Sequence, residues 1–370
     1  MRKYSVCVYA ICKNEAQFVD RWMDSMGEAD RIVVLDTGSS DETVKKLRQR
    51  GAEVTEEIIS PWRFDVARNR ALALVPEDVD ICVCTDLDEV FHPGWREKME
   101  RVWDDDVSQA RYRYTWSFNP DGSEGYVFWI EKIHQRHGFC WTHPVHEVIT
   151  WVGPEARGRT VWAEGVQLDH HADRNKSRGQ YLPLLKLSVA EDPEDDRNMH
   201  YLGREYMYNG RWDDCISTLK RHLAMPKAVW KDERAASMRF IARSYANQGD
   251  LEKAWEWYMM AIVEAPYLRE PWLDMGRMLY EQEEWDGALY FTGHALQIQE
   301  RPRSYISEAD SWGSLPHDLR CIAFFRTGRL EQALEEAILA LKYGPEENRL
   351  KENERKEAII CQEKSYHMNR

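Results

Sequence analysis

The sequence predicts an α/β domain on a mostly parallel sheet, followed by an all-α domain of helical repeats, with the division after residue 178. Three observations carry this reading. Apolar runs of strand length alternate with helix-like segments over the first hundred residues. Aromatic and β-forming residues then dominate 108–170. From about residue 176 a helical pattern takes over and nearly repeats four times.

Tyr4 to Ile11 is the first apolar run, followed by the helix-like NEAQFVDRWMDSM. Arg31 to Leu35 (RIVVL) is a second buried-strand run. It ends in DTGSSD, where Gly and Ser mark a turn and Ser40 or Asp41 can cap the helix TVKKLRQR. Ala52 to Ile59 reads as a third strand, Asp65 to Ala73 as a helix and Val79 to Thr85 (VDICVCT) as a fourth strand. Strands alternating with helices imply a parallel sheet covered on both faces. Such sheets bind ligands at the carboxyl ends of their strands. Those ends carry Lys13-Asn14-Glu15, Asp36 and Asp86-Leu87-Asp88. The segments ARYRYTWSFN, GYVFWIEKIHQRH and TVWAEGVQLDHH read as antiparallel strands folded over the sheet's rim.

Trp212, Leu251, Trp285 and Leu330 each begin a similar helix (WDDCI, LEKAW, WDGAL, LEQAL), each after a polar turn (YNGR, NQGD, EQEE, RTGR). Their offsets of about 39, 34 and 45 residues bracket the tetratricopeptide period. The best copy runs from Met238 to Pro266, with Ala242, Gly249, Ala254, Tyr258 and Ala261 at the repeat's places. Small residues there let paired helices approach. The first copy is the weakest, with Cys215 where Ala is usual. The charged EENRLKENERKEAI reads as a capping helix.

The totals exclude several classes. No run of about 18 apolar residues occurs, so no membrane span is expected, and MRKYSVCVYAICKNE is too soon polar for a signal peptide. A cytoplasmic location is expected. Eight Cys without a CxxC pair fit buried thiols better than a disulfide framework. A net charge of −14 disfavours nucleic acid as a partner.

The strongest chemical signal is CVCTDLDEV. An apolar strand delivers Asp86, Asp88 and Glu89 to its carboxyl end. Carboxylates so placed can share a hard divalent cation with diphosphate oxygens, and the cation offsets charge on a leaving nucleotide diphosphate. The bland alternative is a solvated acidic turn.

VYAICKNEAQFV, IVVLDTGSSDETV, DVARNRALA and ICVCTDLDEV, in this order and spacing, resemble the family-two glycosyltransferases over residues 5–90. The resemblance implies the A-type, Rossmann-like nucleotide-sugar fold. Joined to helical repeats, it is similar to bacterial peptide and protein glycosyltransferases such as the bacteriocin S-glycosyltransferases. It implies that Ile11, Lys13 and Glu15 line base and ribose, that Asp36 accepts a hydrogen bond from the base, and that Asp65 and Arg68 face ribose or diphosphate. Asp86 would contact the ribose or a metal-bound water, with Leu87 beside it in the donor site. Asp88 would ligate Mn²⁺ or Mg²⁺ directly. A third ligand often comes from a late His. His170 and His171 are both candidates, with His170 the choice, and imidazole suits Mn²⁺ better than Ca²⁺.

Inversion requires a base to deprotonate the acceptor. WTHPVHEVI offers His143, His146 and Glu147. Glu147 is the chosen base with His146 beside it, although the family's usual base motif is not recognisable. His134, His137, His143 and His146 could also form a zinc cluster, without thiolates to support it. Trp116, Trp129 and Trp141 could flank sugar or acceptor, or simply pack.

Three functions remain open. One is transfer of a sugar from a nucleotide donor, most plausibly UDP-linked, to a peptide or protein held by the repeats. The second is the same chemistry on a cell-envelope glycan or lipid-linked acceptor. The third is a repeat scaffold that binds nucleotide sugar without turnover. The repeats could also pair two subunits.

Overall fold

The computed structural model describes residues 3–119, 122–154, 156–173, 179–345 and 347–368. It divides into two compact units: 1–117 with 127–188, and 118–126 with 189–370. The expected boundary after 178 falls at the end of 174–178, outside the described residues, and the units part between Ser188 and Val189.

The first unit contains β1 (Val6–Cys12), α1 (Val19–Met26), β2 (Arg31–Asp36), α2 (Thr43–Gln49), β3 (Glu53–Glu56), α3 (Phe64–Ala73), β4 (Ile81–Thr85), β5 (Glu89–Phe91), α4 (Trp95–Val102), β6 (Val107–Thr115), β7 (Val127–Gln135), β8 (Phe139–Thr142), β9 (Val148–Trp151) and β10 (Arg159–His170). One eight-stranded sheet runs in the order β3-β2-β1-β4-β7-β6-β10-β5. β3, β2, β1 and β4 pair in parallel. β1 and β4 are buried along their whole length, as a strand covered on both faces requires. α1 packs Val19, Trp22, Met23 and Met26 into one core layer, and Ala67, Ala71 and Leu72 of α3 join another.

Two expectations need correction. The strands of 108–170 do not fold over the rim as an antiparallel set. β7 pairs antiparallel with β4 and β6, but β10 runs parallel to β6, so they extend the main sheet. Among the described residues, β8 and β9 form a separate pair. The helix expected from Asn14 begins at Val19. The backbone N–H groups of Asn14, Glu15 and Ala16 donate instead to Ser39 Oγ, Thr43 Oγ1 and Asp41 Oδ2 at 2.8, 2.8 and 3.2 Å, and Asn14 has φ 55°. The loops after β1 and β2 are thus laced together.

α5 (Tyr181–Glu191) spans the division. The second unit continues with α6 (Asp196–Tyr208), α7 (Trp212–Ala224), α8 (Lys231–Asn247), α9 (Leu251–Glu264), α10 (Arg269–Glu281), α11 (Trp285–Gln297), α12 (Leu315–Arg326), α13 (Leu330–Tyr343) and α14 (Asn348–Met368). The second helix of each repeat starts where the sequence places it. The turn before each contains one left-handed residue: Gly210, Gly249, Glu283 and Gly328 have φ 68°, 81°, 62° and 76°. On α10, a Cβ at Gly276 would stand 2.7 Å from Thr292 Cγ2 of α11, so that helix pair needs glycine there.

The long offset before the fourth repeat is a segment between α11 and α12. It lies across the first helices of three repeats. Tyr305 donates to Glu233 of α8 and stacks on Tyr201 of α6 at 5.6 Å. Glu308 binds Arg239 and Arg243 of α8. Its backbone N–H and the Trp312 indole donate to Glu270 of α10 at 3.0 and 3.2 Å. The Arg269 guanidinium lies 3.9 Å from the Trp312 ring centroid.

Candidate functional site

The carboxyl ends of β1, β2 and β4 form the site, and the core fixes their exits. Trp22 donates to Thr85 at 3.0 Å at the end of β4. Leu87 is fully buried among core side chains, Asp88 is 6% exposed and Asp86 is half-buried. Only the backbone of Leu87 can therefore serve a donor.

Arg68 organises the centre. It lies on α3 and is 4% exposed. One edge of its guanidinium donates to Asp86 at 2.9 and 3.1 Å, and its Nε donates to Glu147 at 2.5 Å. Its face lies 5.1 Å from the ring centroid of Trp141. Burial works against the charge, but Asp86 and Glu147 outweigh it and hold Arg68 firmly protonated. Three residues distant in sequence, Arg68, Asp86 and Glu147, thus meet on one cation.

Lys132 of β7 supplies a second buried cation. It donates to Asp86 at 3.3 Å and to Glu89 at 2.9 Å. Its pKa is raised: burial opposes the charge, and Glu89 and Asp86 overcome it. Glu89 also accepts from the Asp86 backbone N–H at 2.9 Å and from Tyr114 at 2.7 Å.

Asp88 meets His170, the end of β10, with Oδ2 and Nε2 3.5 Å apart. The other imidazole nitrogen bonds the Trp116 carbonyl at 2.9 Å. That bond makes Nδ1 the donor and leaves Nε2 with a lone pair for a cation. A metal about 2.1 Å from both atoms would separate them by roughly 3.0–3.5 Å. The residues therefore fit a divalent cation. In the cation's absence, burial disfavours charge on His170 but Asp88 outweighs it and raises its pKa. His171 bonds Asp88 through its backbone N–H at 2.8 Å. Trp116 is 45% exposed and stacks on His170 with centroids 4.4 Å apart.

A buried relay supports Arg68. His134 Nδ1 bonds the Gln135 carbonyl at 2.7 Å, so its Nε2 accepts from Tyr9 OH at 2.8 Å. Tyr9 in turn accepts from Trp141 Nε1–H at 2.8 Å. Asn69 clamps the Trp141 backbone on both sides at 2.8 Å. Trp141 is thereby fixed under the guanidinium.

Several expected site residues have other tasks. Asp36 is 1% exposed and holds its own turn: Oδ1 accepts from Gly38 and Ser39 N–H at 3.0 and 2.9 Å, and Oδ2 accepts from the Ser39 hydroxyl. Asp65 is gripped by Arg63 at 3.0 and 2.8 Å at the start of α3. His146 turns its ring onto Tyr181, 5.6 Å away and nearly parallel, with Nε2 buried. Ile11 and Glu15 are buried at the loop that Lys13 leaves exposed. The four-His zinc cluster does not form: His134 binds Tyr9, and His137 Nε2 bonds the Glu77 carbonyl at 2.9 Å. Trp129 packs edge-on against Trp162 at 5.0 Å.

Lys132 and the relay escaped the sequence reading. Lys132 carries no local signal within β7, and only the pairing of β7 with β4 brings it to Asp86.

Residues 7–151 match the family model Glycosyl transferase family 2. The match supports a glycosyltransferase acting with a nucleotide-sugar donor. A TPR repeat-containing protein of Synechococcus elongatus is 24% identical over 298 residues, covering 75% of this chain and 71% of that protein. Among solved structures, the APC/C hetero-tetramer Cut9-Hcn1 aligns with TM-score 0.41 and 11% identity, covering 50% of this chain and 33% of that one. A thermophilic TPR protein in Thermus thermophilus aligns with TM-score 0.35 and 18% identity, covering 48% and 89%. No helix among the described residues is long and apolar enough to cross a membrane.

Proposed function

We propose that this chain is an inverting, metal-dependent glycosyltransferase that moves a hexose from a UDP-linked donor to a peptide or protein side chain. The observation that carries it is the convergence of Asp86 and Glu147 on Arg68, next to the Asp88–His170 pair.

Mn²⁺ or Mg²⁺ would sit on Asp88 and His170, and when bound it offsets charge on the departing diphosphate. Arg68 and Lys132 fix Asp86 where it can orient the ribose. Arg68 also aims Glu147, the base, which takes the acceptor's proton as the acceptor oxygen or sulfur attacks the anomeric carbon. Trp116, exposed beside His170, offers a face on which the sugar can stack. A Cys acceptor, as the resemblance to S-glycosyltransferases implies, needs less help from Glu147 because some thiolate exists at neutral pH. Base recognition falls to the laced loops after β1 and β2, including Lys13 and Glu15, which the Asp36 carboxylate shapes rather than contacts.

The repeats are proposed to hold the acceptor. The segment around Tyr305 and Glu308 covers the faces of α6, α8 and α10, so an acceptor must use other repeat surfaces or displace it.

The test is a panel of UDP-, GDP- and dTDP-sugars with and without Mn²⁺, read by thermal shift and free-nucleotide release. The expected result is Mn²⁺-dependent stabilisation and slow hydrolysis with one UDP-sugar. No response to any donor would leave a non-catalytic repeat scaffold as the better reading. A peptide-against-glycan acceptor screen then separates protein from envelope acceptors.

A further inference from the structure

The first repeat and the opening helix of the second gather another set of donor atoms, remote in sequence from the site above. Asp196 starts α6, His222 lies in the last turn of α7 and Glu233 in the first turn of α8. One ligand atom from each lies within 4.8 Å of the others. His222 is 0% exposed and Glu233 4%. His222 Nε2 points at Glu233 Oε1 from 3.3 Å, yet makes no hydrogen bond.

The neighbours explain how that nitrogen can be a ligand. His222 Nδ1 lies 3.0 Å from Ser237 Oγ, and the same hydroxyl lies 2.8 Å from His200 Nδ1. A hydroxyl has one hydrogen to give. When it goes to His200, Ser237 accepts from His222 Nδ1–H, and His222 Nε2 holds a lone pair facing a carboxylate. Two electron-rich atoms at that distance repel unless a proton or a metal ion lies between them. The separation of 3.3 Å is that of two corners of a tetrahedron around a zinc ion about 2.0–2.1 Å from each. Outer partners that fix a ligand's tautomer are the usual support of such sites, and Ser237 occupies that place. Tyr305 holds the second oxygen of Glu233 and orients the carboxylate.

We propose that Asp196, His222 and Glu233 form a zinc site that staples α6, α7 and α8 together. One imidazole with two carboxylates favours zinc over magnesium or calcium. The staple begins in the repeat that departs most from the pattern, with Cys215 in place of the small Ala.

The experiment is zinc binding to the full chain, measured by equilibrium dialysis and elemental analysis, with Co²⁺ substitution read by visible absorption. The chain should retain about one zinc at this site and show the intense absorption of tetrahedral Co²⁺. Asp196→Asn and His222→Gln should each weaken binding by at least about 100-fold, since losing even an outer partner costs about 10–100-fold. Asp196 is half-buried at a helix start, so Asp196→Asn carries the test if His222→Gln does not fold. Asp88→Asn should keep this zinc, which separates the staple from any failure of the glycosyltransferase reading. Equal zinc retention by the chain and Asp196→Asn, or no retention by either, would overturn the proposal and leave a buried hydrogen-bonded cluster.

Discussion

Each unit contains a pair of cations set among carboxylates, but the accounts differ. In the repeat unit Arg239 and Arg243 face Asp274 and Glu308. Arg239 meets Asp274 at 2.8 Å and Glu308 at 2.9 Å, and Arg243 meets them at 2.8 and 2.7 Å. Both arginines bring the Glu308 carboxyl down to about 2 against the effect of burial. Glu270 nearby is pushed up by burial, toward its neutral form. The set is balanced. In the catalytic unit Arg68 and Lys132 face Asp86, Glu89 and Glu147, with Asp88 adjoining. Four carboxylates against two permanent cations, with His170 beside Asp88, leave a formal excess of negative charge that a divalent cation would offset. A balanced buried network holds a fold, whereas an unbalanced one is built to receive a charge.

The largest test of that contrast is Asp88→Asn. It removes one of the surplus charges and a proposed metal ligand. Transition-state stabilisation of several kcal/mol is at stake, so Mn²⁺-dependent donor hydrolysis should fall on the order of 1000-fold. The melting temperature without metal should change little, because relief of like-charge repulsion is set against the lost attraction to His170. A large drop in melting temperature would mean that Asp88 serves the fold.

Arg68→Met against Arg239→Met sharpens the comparison. Removing one partner from a buried ion pair costs about 3–5 kcal/mol. Both variants should lose stability in denaturant melts. Only Arg68→Met should abolish donor hydrolysis, because it releases Asp86 and Glu147 together. Arg239→Met should keep turnover at temperatures where the chain stays folded, with Arg243 still joining Asp274 and Glu308. Equal catalytic loss in both would dissolve the distinction between the two networks.

How far the sequence could see follows the same line. Apolar runs and their spacing locate β1, β2, β4 and every second repeat helix, because local periodicity carries that information. Asp86, Asp88, Arg68, Glu147 and His170 were legible as candidates from order and motif. Lys132 was not, because its role depends on β7 entering the sheet beside β4 rather than folding over it. Asp36 and Asp65 have protein partners that the sequence reading did not anticipate, for a different reason. A carboxylate in a turn or at a helix start has backbone and Arg partners within reach, and here those partners take it. The segment across α6, α8 and α10 showed only as an over-long repeat offset.

Acid should separate the units next. Burial brings His134 down to about 4 from 6.5. Its folded pKa lies below the unfolded one, so the unfolded chain binds the extra proton between those values. Stability therefore falls as pH drops from 6.5 to about 4, and this contribution is complete below that. In the repeat unit His200 is brought down to about 3 by burial, so its loss extends further. Denaturant melts of the full chain between pH 7 and pH 3 should show a slope that His134→Gln and His200→Gln each flatten, with only His200→Gln acting below about pH 4. If His134→Gln changes nothing, the relay through Tyr9 and Trp141 is not held by a neutral imidazole.

The smallest effect concerns backbone strain. Non-glycine residues with positive φ are, among the described residues, Asn14, His143, His146 and Glu283. Glu283 stands where the other repeats have Gly210, Gly249 and Gly328, so its strain serves no site and reflects only the missing glycine. A left-handed non-glycine residue costs roughly 1–2 kcal/mol, and glycine's extra freedom in the unfolded chain returns about 0.4–1 kcal/mol of that. Glu283→Gly should therefore stabilise the chain by somewhat under about 1 kcal/mol, read as a higher denaturant midpoint with unchanged slope and unchanged hydrolysis. Asn14 and His143 flank the laced loops and the turn that carries Glu147. Glycine at either position should relieve similar strain yet slow donor hydrolysis, because the strained backbone there aims catalytic groups. A gain in stability without catalytic loss at those positions would make their strain as incidental as that of Glu283.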